Sequence, residues 1–183
     1  MLFQIVLFVH AISVLLLAAA LGLEVWMLYQ LRRSTSIGEI FRWTRSAPAV
    51  GIFTSVSLLI VELTGAYLTE KLTSWSFAWP KLAFWGVVVV GLLGGISGRR
   101  LRAIRRGSSD TLVLSPQLIT QLRSPFLKVS LSLRIWLVTG ILLLTILKSN
   151  LQGSSGVLLI SLFLGLVSST VTFRKPRSMA PQI

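Results

Sequence analysis

The chain has 183 residues, no cysteine and a single histidine, His10. The lack of cysteine excludes disulfides, thiol chemistry and thiolate metal sites. With one histidine and three methionines, a copper or zinc site within one chain is also poorly supplied, and we predict no metal. No nucleotide-binding, metal-binding or nucleophile motif occurs in the sequence. We therefore expect a protein that is not an enzyme.

Acidic residues are scarce as well: there are five, against 18 basic ones, which gives a net charge of +13. Only 13% of the residues are charged, 54% are hydrophobic, and the mean hydropathy is +0.82. A soluble domain has about a quarter charged residues. Apolar runs long enough to cross about 30 Å of hydrocarbon recur along the chain. These features predict an all-α, multi-pass membrane protein that forms a single helical bundle.

Five apolar runs are candidate membrane spans. They cover residues 2–29, 48–68, 80–98, 131–147 and 155–173. Segments rich in Lys and Arg alternate with connections that contain only one. The basic-rich segments are 30–47, 99–130 and the tail after residue 173. By the positive-inside rule, this alternation predicts an outside N-terminus and a cytoplasmic C-terminus.

The charge of +13 is also a feature of nucleic-acid-binding proteins. The basic residues, however, are confined to alternate connections, as in membrane proteins. We therefore expect no nucleic acid, and we expect anionic lipid headgroups to be the electrostatic partner of the basic cytoplasmic loops.

The connection 99–130 carries two helix signals. "RRLRAIRRG" is expected to continue the third span as a helix that emerges among the headgroups. In "SPQLITQL", Ser115 is a candidate N-cap and Pro116 a first helical residue, which predicts a short helix on the cytoplasmic surface. A plain solvated loop is the alternative.

Glycines follow a four-residue spacing in the third span, where Gly91 pairs with Gly95 and Gly94 with Gly98. Such spacing leaves one face of a helix nearly bare and lets a neighbouring helix approach closely. These glycines are therefore predicted to serve helix packing, either within the bundle or against another subunit or a second copy.

Six ionisable side chains lie in or beside the predicted spans, where each is costly and a candidate for function. They are His10, Glu24, Glu62, Lys81, Arg134 and Lys148. At roughly 100° per residue, His10 and Glu24 share one face of the first span, and Arg134 and Lys148 share one face of the fourth.

The two spans run in opposite directions, so Arg134 is expected at the depth of Glu24. We predict that these two form an inner ion pair with a mainly structural role. On the outer side, we predict a polar cluster of His10 and Glu62 with Lys81 and Lys148.

Several roles are open for His10. It could be a hydrogen-bonded interior residue, an axial ligand of haem or of a chlorophyll-type pigment, or a hydrogen-bond partner of a quinone. Proton transfer through His10 and Glu62 is a further alternative.

Three stretches carry a family resemblance: "FVHAISVLLLAAALG", "LTGAYLTEKLTSWSFAWPKLAFWGVVVVGLLGGISGRRLRAI" and "LRIWLVTGILLLTILKSNLQGSSGVLLISLFLGLV". They resemble helices of small bacterial inner-membrane proteins that are similar to copper-resistance D and membrane urate-oxidase-type helical domains. The resemblance implies a helical bundle in a bacterial inner membrane. His10 would match the first-helix histidine of that group, and Arg134 and Lys148 its fourth-span basic pair.

The expected function is that of a non-enzymatic integral membrane subunit or accessory protein, which packs against membrane partners and helps to hold a cofactor, pigment or lipid. One alternative is a small proton-coupled transporter with an outer pocket formed by Glu62 and His10. Another is a redox protein linked to haem or quinone.

Overall fold

The computed structural model describes residues 1–34, 36–109, 124–148 and 150–171. Within these ranges the chain forms five α-helices and no strand. The helices are α1 (Leu2–Arg33), α2 (Ile37–Lys71), α3 (Ala78–Ser109), α4 (Pro125–Leu147) and α5 (Leu151–Val171). Each is long and apolar enough to cross a membrane. The prediction of an all-helical chain with five such helices is confirmed.

Consecutive helices pack side by side, and contacts between α1 and α4 close the first four into a bundle. Helix α5 lies outside this bundle, against α4 and α3. The start of α1, the connection 72–77 and residues Lys148 and Asn150 lie at one end, which we call the short-loop end. The opposite end is called the basic end, because Arg32, Arg33 and the arginines in the last part of α3 lie there.

The apolar core lies toward the basic end. Its buried residues are Leu17, Leu21, Leu28 and Leu31 of α1, Ile40 of α2, Ile104 of α3, and Leu127 and Leu131 of α4. Among the described residues, the short-loop half of the bundle has no second cluster of this kind, and a cavity is present there.

Helix α2 begins well before residue 48, and Pro48 lies inside it. The Ser36 side chain caps the helix by accepting from the Glu39 N–H at 3.3 Å. Ile40 and Thr44, each 1% exposed, lie on the buried face of this first segment. The prediction of a loop over 30–47 was wrong because the segment is amphipathic, with its arginines on the opposite, exposed face.

The other helices also extend beyond the predicted bounds. Helix α3 continues to Ser109, which confirms the helical extension through "RRLRAIRRG". Helix α4 starts at Pro125 rather than at 131, since proline is favoured at the first helical position. Helix α5 starts at Leu151 rather than at 155, because the Asn150 side chain accepts from the Gly153 N–H at 3.0 Å. The predicted surface helix at Ser115 lies outside the described residues, as does the basic tail.

The contact between α4 and α5 depends on Gly140. A Cβ atom at this position would lie 2.9 Å from the Cβ of Ser161 and closer still to its hydroxyl. We expect Gly140→Ala to destabilise the protein by about 1–3 kcal/mol through overpacking. The measurement is unfolding of the detergent-solubilised protein by heat or dodecyl sulfate.

The matched control is Gly22→Ala in α1, where an added Cβ would meet nothing within 4 Å. The two substitutions share the same gain in helix propensity. Equal stability of both variants would contradict the close packing of α4 on α5.

Candidate functional site

The short-loop half of the bundle contains a partly open cavity of about 350 Å³. Helices α1 to α4 and the 3₁₀ turn Ser74–Ser76 contribute to its wall. Most of the lining is apolar. The polar or partly polar side chains in it are His10, Glu62, Thr69, Thr145, Trp75 and Trp79. An apolar pocket with a few converging polar groups is the usual composition of a small-molecule site.

Small residues on α2 and α3 leave this space open, among them Gly65, Ala66 and Ala83. Gly65 also determines the position of the histidine, since a Cβ there would lie 3.3 Å from the His10 Cε1. Toward the short-loop end, Trp75 packs edge-on against Phe84, with 6.4 Å between the ring centroids. Aromatic side chains thus flank the short-loop side of the cavity.

His10 is held by a hydrogen bond of 2.8 Å between its Nδ1 and the Thr64 hydroxyl oxygen. That hydroxyl donates its own hydrogen to the Ile60 carbonyl oxygen at 2.5 Å. With that hydrogen directed to Ile60, the Thr64 oxygen accepts from the Nδ1–H of His10, and we assign this tautomer to the histidine. In the neutral imidazole this leaves Nε2 as a hydrogen-bond acceptor.

Glu62 lines the same cavity. Its Oε1 atom is buried and has no hydrogen-bond partner. The one salt bridge in the described part of the chain joins two other residues, so no described cation neutralises Glu62. A buried carboxylate oxygen without a partner is costly, which makes Glu62 the most unusual polar group of the cavity.

Lys81 and Lys148 do not line the cavity, and both are exposed. The predicted outer cluster is therefore reduced to His10 and Glu62. Lys81 lies on a different face of α3 from the lining residues Ala83 and Val87. Lys148 follows the last residue of α4 in a left-handed conformation, with φ 45°, and the chain turns away there.

Glu24 and Arg134 are brought together deeper in the bundle. Arg134 binds the carboxylate with both terminal nitrogens: Nη1 donates to Oε1 at 3.2 Å, and Nη2 contacts Oε2. The Thr54 hydroxyl of α2 donates to the same Oε1 at 2.7 Å. Only 3% of the Arg134 side chain is exposed. The pair therefore joins α1, α2 and α4 through one buried carboxylate.

The four glycines of α3 that were predicted to serve helix packing divide into two groups. A Cβ at Gly94 would lie 3.2 Å from Arg134 Nη1, and one at Gly91 would lie 3.2 Å from a methyl group of Leu58. These two glycines serve packing within the chain. A Cβ added at Gly95 or Gly98 would meet nothing within 4 Å. Together with Gly94, these two glycines border a second cavity of about 290 Å³ toward the basic end. Arg102 and Arg105 also line this cavity.

The sequence analysis did not single out Thr54, Thr64 or Gly65, although they hold Glu24 and position His10. A threonine in an apolar helix commonly bonds to its own backbone, as Thr64 does to Ile60. Its presence in a sequence is therefore a weak signal for a contact with another helix.

Among the described residues, no three His, Asp or Glu side chains are grouped so that they could hold a metal ion. No family model, curated protein or solved structure matches the chain. The resemblance stated above accordingly stays a prediction.

We expect substitutions in the ion pair to change the free energy of unfolding more than other substitutions in this region. Arg134→Met leaves the Glu24 carboxylate buried with only Thr54 as a partner, and we expect a loss of about 3–5 kcal/mol. The double variant Glu24→Met/Arg134→Met removes both charges and should recover most of that loss. The free energy of unfolding in dodecyl sulfate is the measurement.

Lys81→Met, which removes an exposed charge outside the bundle interior, serves as the control. If the double variant were as unstable as the sum of the two single variants, the pair would not act as a unit.

Proposed function

We propose that this chain is a non-enzymatic membrane protein that binds a small, largely apolar molecule in the cavity of its short-loop half. One observation carries the proposal: a cavity of about 350 Å³ with apolar walls contains a carboxylate oxygen that is buried and has no partner. A ligand that fills the cavity would bury the apolar wall and supply that missing partner. The cofactor, pigment or lipid expected from the sequence would occupy this site.

The packing beyond the cavity favours binding over transport. Toward the basic end, Leu17 and Leu21 are buried, and the next ionisable group, Glu24, is held by Arg134 and Thr54. A proton-coupled transporter needs polar groups that continue the route across the membrane. Apolar side chains separate His10 and Glu62 from Glu24 instead.

We further propose a bacterial inner membrane as the location, with the short-loop end outside and the basic end in the cytoplasm. The arginines at the ends of α1 and α3 support this orientation. Arg102 and Arg105 line the second cavity beside Gly95 and Gly98. Anionic lipid headgroups at the cytoplasmic surface would meet these arginines, with an acyl chain against the glycines.

The absence of cysteine makes the orientation easy to test. Single cysteines are introduced at Thr73, in the connection after α2, and at Ser36, in the connection before it. In intact cells, a membrane-impermeant maleimide should label Thr73→Cys, and Ser36→Cys should react only after lysis. The opposite pattern would contradict the proposed orientation.

The ligand site itself is tested with 1-adamantanol, a compact neutral cage molecule, and protein in nanodiscs of neutral phosphatidylcholine. We expect saturable binding of one molecule per chain, measured by equilibrium dialysis against empty nanodiscs. Ala66→Phe places a ring in the cavity and should weaken binding by about tenfold or more, that is by at least about 1.4 kcal/mol.

Leu63→Phe is the matched control, because Leu63 is 62% exposed on the outside of the bundle and does not line the cavity. It should bind like the unmodified protein. Non-saturable uptake, or equal binding by both variants, would refute the proposed site.

A further inference from the structure

Apart from the two tryptophans, the polar side chains that line the cavity share one property: they offer hydrogen-bond acceptors. In the tautomer assigned above, Nε2 is the acceptor of His10, because its Nδ1–H is used by Thr64, and Glu62 contributes a carboxyl oxygen that has no partner. Thr69 donates its hydroxyl hydrogen to the Gly65 carbonyl oxygen at 2.8 Å. Thr145 likewise donates to Leu142, at 2.7 Å. Each threonine hydrogen is thus used within its own helix, which leaves the oxygen as an acceptor.

Donor groups of the lining side chains occur only toward the short-loop end, in the indole N–H groups of Trp75 and Trp79. Trp75 lies in the 3₁₀ turn and Trp79 at the start of α3. Glu62 lies nine residues before the end of α2 at Lys71, which corresponds to a depth of about 13 Å along the helix. Glu62 therefore lies deeper along the bundle axis than the two indoles.

The surroundings of the Glu62 carboxyl group point in the same direction. The lysines at the short-loop end do not compensate it: Lys81 and Lys148 are exposed outside the cavity, and the Lys71 ammonium lies over the Tyr67 ring, 5.7 Å from its centroid. A carboxylate in an apolar membrane interior is costly unless a cation pairs with it. The bundle interior supplies such a cation to Glu24 but not to Glu62.

We propose that the cavity binds a compact lipophilic organic cation, namely a protonated amine whose N–H groups donate to Glu62 and His10. Its hydrocarbon part contacts apolar lining residues such as Leu58 and Val87. The faces of Trp75 and Trp79 favour the approach of a cation through the aromatic end of the cavity. This inference rests on the proposed function, since it names the ligand class of the same cavity.

Three probes with the same cage and different polar groups test the inference: 1-aminoadamantane, 1-adamantanol and 2-adamantanone. The first is an ammonium ion near neutral pH, the second a neutral donor, and the third an acceptor only. Charge-assisted hydrogen bonds are stronger than neutral ones. In neutral phosphatidylcholine nanodiscs, we expect the amine to bind about tenfold or more tighter than the alcohol, and the ketone to bind most weakly.

Glu62→Gln keeps the shape of the side chain and removes its charge. It should abolish the preference for the amine and leave binding of 1-adamantanol within about threefold of the unmodified protein, because the apolar contacts remain. Glu70→Gln, at an exposed carboxylate outside the cavity, is the control and should retain the full preference. Retained adamantanol binding by Glu62→Gln also shows that this variant is folded.

The outcomes separate the two proposals. If the alcohol or the ketone binds as tightly as the amine, the cation inference is wrong and the apolar site stands; tighter binding of the alcohol would point to a neutral polyol or quinol. If the amine binds tightly but Glu62→Gln leaves its affinity unchanged, the cation binds elsewhere and the inference is overturned. If none of the three binds saturably, the cavity is no ligand site and both proposals fall.

Discussion

The buried ion pair of Glu24 and Arg134 is the constraint on which the rest of the bundle depends. A guanidinium with 3% of its side chain exposed must meet a carboxylate, because either charge alone would be costly in an apolar interior. The pair fixes α1 against α4, and Thr54 adds α2. Gly94 of α3 makes room for the Arg134 side chain. The residues of this one ion pair therefore contact or belong to four helices, next to the apolar core.

The short-loop half contains no such pair, and this difference gives the cavity its chemistry. Helices fixed at the ion pair continue past Gly65, Ala66 and Ala83, which are too small to fill the space between them. Glu62 lies there without the partner that Glu24 has, and His10 is fixed by Thr64 in the tautomer that presents Nε2. The proposed cationic ligand would pair with Glu62 as Arg134 pairs with Glu24.

Features with strong physical signals could be predicted from the sequence. Apolar runs predict five helices. His10 and Glu24 are fourteen residues apart, as are Arg134 and Lys148, and the two helices run in opposite directions. This spacing places Glu24 opposite Arg134. The start of α2 could not be predicted from hydropathy, because Arg42 and Arg45 make an amphipathic helix resemble a loop. Lys81 and Lys148 were misplaced, since a cluster predicted from depth along the helices ignores which face each side chain occupies. The cavity arises from small residues on separate helices, which no single stretch of sequence reveals.

The single histidine makes a direct test possible, because protein labelled with ¹⁵N-histidine gives signals from His10 alone. The measurement is the ¹⁵N spectrum in neutral lipid, with and without 1-aminoadamantane. The account predicts a protonated Nδ1 and an unprotonated Nε2 in the free protein, and a shift of the Nε2 resonance when the amine binds. An Nε2–H tautomer, or an Nε2 resonance that saturating amine leaves unmoved, would contradict it.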